Sequence, residues 1–187
     1  DLIAFDLKQI MEKHGIDSYA AYGINSGKVN EDNTLLFQTD AELRISQEQS
    51  RLFAKHGFYN VAATKRLLAY IDQIHPDLIH LHNIHGYYVN CDMLFNYIKA
   101  RNIPVVWTLH DCWSFTGWCA YFDYSGCDKW KTHCHHCPSK NDYPKAWLTS
   151  RSSLNYDLKK EAFSGVGSMM LVTPSHWLGR LTRDSFL

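Results

Sequence analysis

Five of the chain's six cysteines fall within residues 110–138, "HDCWSFTGWCAYFDYSGCDKWKTHCHHCP". Cys119, Cys127, Cys134 and Cys137 are separated by seven, six and two residues. The last pair has the C-x2-C spacing with which two thiolates chelate one tetrahedral Zn2+. Four thiolates fill the coordination sphere and leave no position for water, so the expected role is structural. His133, His135 and His136 are competing ligands. Disulfides are the alternative. The opening "DLIAFDLKQIMEKHG" lacks the basic start and cleavage site of a signal peptide, and a reducing compartment favours metal over disulfides. Cys91 and Cys112 read as ordinary buried thiols, and nothing marks Cys112 as an activated nucleophile.

A second set of chemically capable residues lies in "HLHNIHG", residues 80–86. Residues two apart in a strand share a face, so His80 and His82 point the same way, with His85 in the loop beyond. The spacing H-x-H-x-x-H resembles the metal signature of metallo-β-lactamase-like hydrolases, although Ile84 stands where that signature wants an aspartate. Core histidines with satisfied hydrogen bonds are the plainer reading. A third reading is a polar cleft. His82, Asn83 and His85 close one predicted strand and His110-Asp111 closes another, and ligands of open parallel sheets sit beyond the carboxyl ends of strands. Imidazoles there can donate to or accept from hydroxyl and phosphate groups. On turn chemistry alone, His110-Asp111 could instead be a turn with a side-chain cap.

The elements that must position these groups follow from periodicity. Apolar Leu2, Ile3, Leu7, Ile10 and Met11 predict an opening helix stopped at Gly15. "DSYAAYG" reads as a short strand, residues 24–33 as a loop, 35–37 as a small strand, 42–56 as a charged helix and 61–74 as a second helix ended by "HPD". "DLIHLHNI" is a strand, "NCDMLFNYIKARN" a helix capped by Asn90, and "IPVVWTLHD" a strand, together a right-handed βαβ unit with parallel strands. A helix at 152–165, the strand "SMMLVTPS" and a final helix capped by Ser175 follow. The expected class is α/β, a Rossmann-like parallel sheet flanked by helices, in one domain over residues 1–187 with an irregular cysteine-rich insertion at 112–138. The chain opens on a helix where such folds open on a strand, which is expected of a piece of a longer protein.

Composition sets outer bounds. Lys plus Arg equals Asp plus Glu at 19 each, so there is no global pull toward nucleic acid. No apolar run approaches the roughly 20 residues that span a bilayer. Aromatic content of 14% and 11 histidines suit a ligand-binding cleft.

"PDLIHLHNIHGYYVN", the 103–138 segment from "IPVVWTLHDCW" to "CHHCP", and "VTPSHWLGRL" resemble bacterial glycosyltransferases of family 4, in particular the branch that builds capsular and exopolysaccharides. The likeness is densest from Pro76 to Pro138 and loosest over 24–50. It implies the N-terminal, acceptor-side domain of a two-domain GT-B enzyme, whose members begin with a strand and glycine-rich loop and continue into a nucleotide-sugar-binding domain. By resemblance, the histidine of the T-x-H-D strand end, His110, faces the cleft near the transferred sugar with Asp111 beside it as the second catalytic candidate. His82, Asn83, His85 and Tyr87 are the matching substrate-side residues.

The implied reaction moves a sugar from a nucleotide-sugar donor to a saccharide acceptor, with retention and without a catalytic metal. The acceptor is commonly lipid-linked, which implies a cytoplasmic enzyme in peripheral contact with the inner membrane. Arg44, Arg51, Lys55, Lys65 and Arg66 with Leu52 and Phe53 are candidates for that contact, a solvated helix face being the plainer reading. An open sheet edge would also allow a homodimer. Two rivals remain: a metal-dependent hydrolase using His80, His82, His85 and His110, and a non-enzymatic zinc module binding partners through exposed Trp118, Trp130 and Trp147.

Overall fold

The computed structural model describes residues 2–24 and 32–187; most of the loop expected at 24–33 lies outside them. Helix α1 (Leu2–Lys13) leads to β1 (Ala20–Tyr22) and β2 (Thr34–Leu36), which pair in parallel. Helices α2 (Asp40–Phe53) and α3 (Val61–Ile74) follow. Next come β3 (Ile79–Leu81), α4 (Cys91–Arg101), β4 (Val105–Thr108), α5 (Ser152–Phe163), β5 (Met169–Val172) and α6 (His176–Arg183). Strands β3, β4 and β5 form a second parallel sheet in that order. The expected α/β class and the βαβ unit are therefore present, but among the described residues no ladder joins the two sheets. Side chains link them instead, with the Phe37 and Tyr88 rings 6.0 Å apart.

Local signals account for the elements. Gly15 and Gly165 take left-handed backbone just past α1 and α5, with φ of 75° and 77°. Asn90 caps α4 by accepting from the Met93 N–H, and Ser175 caps α6 by accepting from Leu178 N–H. Helix α2 starts earlier than expected because Thr39 and Glu42 form a reciprocal capping box. It also ends earlier, at a left-handed Ala54. The strands are shorter than expected, at three or four residues each.

Strand period two divides the second sheet into unlike faces. Val105, Trp107, Leu81 and Leu109 face the core. There Phe95 from α4 and Phe163 from α5 close on Trp107, with ring centroids 4.7 to 5.4 Å apart. Helix α4 contributes Cys91, Leu94, Phe95 and Ile98, one stripe at helical spacing. His80, Val106, Thr108, Met170 and Val172 lie on the opposite face by register, and Met170 is 64% exposed.

Between β4 and α5 the chain makes three short 3-10 turns, at Trp113–Phe115, Asp123–Ser125 and Lys129–Lys131. Phe115, Phe122, Trp118 and Trp130 are buried in this segment. The rival in which Trp118 and Trp130 serve as exposed contacts is overturned: the rings fill the interior of the segment, and only Trp147 stays outside, at 50% exposure.

Candidate functional site at the strand rim

Strands β3 and β4 are adjacent, parallel and in register from Ile79↔Val105 to Leu81↔Trp107. Their carboxyl ends therefore reach the rim together. His80 and His82 share a face, and one strand over Thr108 and His110 share the same face. His80 Nε2 lies 2.9 Å from Thr108 Oγ1, and His82 Nδ1 lies 3.1 Å from His110 Nε2. The His80 and His82 rings are 4.5 Å apart and the His82 and His110 rings stack at 5.4 Å. The Trp107 indole N–H donates to the His82 carbonyl at 3.1 Å and pins the end of β3. A shallow cavity lined by His82, Asn83, His110 and Asp111 opens above these ends.

The ladder's electrostatics are one-directional. Burial lowers the pKa of His80, with His110 adding to the effect. For His82, burial comes first and then the neighbouring His80 and His110, pushing it down to about 4. His110 is also lowered, by burial first, although Asp111 pulls the other way. Near neutral pH the facing His82 and His110 nitrogens thus belong to uncharged rings, one donating its N–H to the other. Such a pair supplies directed dipoles rather than a fixed positive charge.

His85 and Asp111 are brought together, and both line the same cavity. His85 Nε2 meets Asp111 Oδ2 at 2.8 Å, with side chains 13% and 12% exposed. Asp111 Oδ1 accepts from the Trp113 N–H at 2.9 Å, so the side-chain-capped turn read from His110-Asp111 is present. Burial works to raise the Asp111 pKa, but the His85 hydrogen bond and charge and the Trp113 N–H outweigh it and hold the carboxyl below its usual range. His85 Nδ1 is 3.1 Å from the Tyr143 hydroxyl, and its ring packs on Trp113 at 5.2 Å. Tyr87 is buried at φ 64°, and its carbonyl accepts from Gln38 Nε2 and Asn60 Nδ2. Asn83 is exposed at the rim.

The two strand histidines and His85 of the H-x-H-x-x-H string do not converge. His80 is engaged by Thr108 and His85 by Asp111. Among the described residues, no three His, Cys, Asp or Glu side chains stand close enough to share a metal ion. Cys119, Cys127, Cys134 and Cys137 nonetheless line one small cavity. Cys91 and Cys112 lie outside it with pKa values raised to about 12, by burial first, as inert core thiols.

Three residues near the rim escaped the sequence reading. His56, 1% exposed, sits in a nest of His85, Tyr87, Trp113, Trp118 and Tyr143 rings and is held neutral, chiefly by burial. Tyr143 bridges the segment after the cysteines to His85. Lys159 is completely buried, and only its position in the stripe Ser152, Asn155, Tyr156, Ala162 and Phe163 hinted at that.

The sequence profile of Glycosyltransferase Family 4 matches residues 6–183. The chain belongs to glycosyltransferase family 4. It is also 33% identical over 153 residues to the putative colanic acid biosynthesis glycosyl transferase WcaC of Escherichia coli (strain K12), the match covering 76% of this chain and 37% of that relative. The chain thus spans well under half of the curated relative's length. No solved structure matches it significantly. Among the described residues, no helix is long and apolar enough to cross a membrane.

Proposed function

We propose that this chain is the acceptor-side domain of a retaining GT-B glycosyltransferase of surface polysaccharide biosynthesis. In this reading an acceptor hydroxyl oxygen bonds to the anomeric carbon of a nucleotide-sugar, and the bond to the diphosphate breaks with its electron pair on the phosphate oxygen. The acceptor's proton leaves toward that oxygen. The observation that carries the reading is the His80–His82–His110 ladder, which presents uncharged imidazoles at the rim formed by β3 and β4. Preorganised dipoles at such a rim stabilise charge developing on the transferred sugar without a catalytic metal. His110 is the catalytic group, with His82 and Asn83 as substrate contacts. Asp111 and His85 hold the turn behind His110, and Tyr87 belongs to the supporting shell. Family membership and the likeness to WcaC support the polysaccharide pathway. The acceptor is a lipid-linked saccharide, met at the cytoplasmic face of the inner membrane.

The test is transfer by the full-length protein from labelled nucleotide-sugars to lipid-linked acceptors extracted from membranes. A glycolipid product that keeps the donor's anomeric configuration supports the reading. Metal-dependent hydrolysis with no transfer from any donor would replace it with the hydrolase reading.

A further inference from the structure

Cys119, Cys127, Cys134 and Cys137 ring a cavity of about 10 Å3 walled by Phe122, Trp118 and Trp130. That space admits one water-sized occupant and excludes any organic ligand. A backbone N–H is aimed at one of its sulfurs. Gly117 N–H donates to Cys134 Sγ at 3.1 Å. Donors of this kind favour a thiolate over a thiol. Position 117 has to be glycine, because an added Cβ would lie 2.1 Å from the Ser152 carbonyl oxygen and 2.6 Å from Cys134 Cβ. Cys119 and Cys137 are already in contact with each other.

A second observation, independent of the cysteine spacing, is Lys159. It is 0% exposed, and among the described residues no carboxylate forms a salt bridge with it. Its Nζ donates to the carbonyls of Trp113 at 2.7 Å and Thr116 at 3.0 Å and lies 3.6 Å above the Trp113 ring. Carbonyl dipoles and a ring face solvate an ammonium only in part, and burial lowers the Lys159 pKa to about 7; an anion nearby is what would hold it charged. Cys91, Cys119, Cys134 and Asp111 lie close enough to act on its charge. A bound tetrathiolate zinc, with a net charge of about −2, supplies that anion.

We propose that Cys119, Cys127, Cys134 and Cys137 hold one structural Zn2+ as a tetrathiolate, with buried Lys159 as the counter-charge that ties this centre to the Trp113–Thr116 turn behind His110. On binding, four S–H protons pass to solvent and four Zn–S bonds of about 2.3 Å form, with no change in oxidation state. The thiols as they stand do not close on a metal ion. Rotation about each cysteine Cα–Cβ bond between staggered wells draws them in. The zinc then braces the segment that ends at Tyr143, which leans on His85.

The full-length protein, purified under reducing conditions from zinc-containing medium, is assayed for zinc by mass spectrometry and by chelator absorbance after mercurial release. About one zinc per chain is expected, with Co2+ exchange giving intense sulfur-to-metal charge-transfer bands. These two readouts on the unmodified protein decide the case even if the variants fail to fold. Protein that neither contains zinc nor takes it up when reduced overturns the proposal, as does a mass showing Cys119 and Cys137 disulfide-bonded in the native protein. Cys127→Ser is expected to lose the metal and His135→Ala to keep it; the reverse pattern overturns the tetrathiolate. Lys159→Met is expected to speed chelator-driven zinc release about tenfold, and an unchanged rate refutes the counter-charge role.

Discussion

His85→Ala tests whether the site's turn is held from behind. It removes one partner of a pair that is almost out of solvent, leaving Asp111 with the Trp113 N–H as its remaining hydrogen bond among the described residues. A hydrogen bond to an ionised group contributes about 1.5–3 kcal/mol. Packing of the His85 ring on Trp113 adds about 0.5–1.5 kcal/mol. Water entering the space left by the imidazole recovers part of this, so the net loss is set at about 2–3 kcal/mol. The assay is urea unfolding of the full-length protein at pH 7.5, followed by the fluorescence of the buried tryptophans. Pairing the change with Asp111→Asn in a double-mutant cycle should give a coupling of about 1–2 kcal/mol. A coupling below about 0.3 kcal/mol refutes the claim that His85 acts through Asp111. Its role would then be sought at the substrate.

Two further outcomes follow from the same geometry. Folded His82 titrates at about 4 and an unfolded histidine at about 6.5, so between those values the unfolded chain binds a proton that the folded chain refuses. The His82 contribution to stability therefore falls on acidification from pH 6.5 toward 4 and is flat above 7. Unscreened, the loss between pH 7.5 and 5 is about 2 kcal/mol; for a half-buried ring we take about 1 kcal/mol. His82→Gln should reduce that acid sensitivity of the urea midpoint by this amount, and an unchanged pH dependence refutes it. Gly117→Ala should cost about 1–3 kcal/mol or more, because the new methyl meets a backbone carbonyl that cannot swing aside. A melting temperature equal to wild type would contradict that placement.

What could be read from the sequence was what depends on local period and spacing. His80 and His82 two apart on a strand, with His110 at the end of the next strand, were enough to bring imidazoles to one rim. Asn90 and Ser175 announced their helices in the same way. Less legible were partnerships made across long loops. The pairing of His85 with Asp111 follows from how the rim loop after β3 settles against the turn after β4, which no spacing encodes. Burial of Lys159 depends on α5 closing over the 3-10 turn at Trp113–Phe115. The capping box at Thr39 and Glu42 was present in the string itself and moves the start of α2 two residues ahead of the charge-based estimate. Separation of the two sheets was not readable, because a three-residue strand leaves no periodic signature of which edge it joins.

The most direct measurement is the turnover number of the full-length His110→Ala protein in the glycolipid assay, taken where its unfolding midpoint matches wild type. Removing a preorganised dipole from the transferred sugar predicts a fall of about 10^2 to 10^3 in kcat with little change in donor KM. Turnover at the wild-type rate would contradict the assignment of the strand rim as the place where the sugar is transferred.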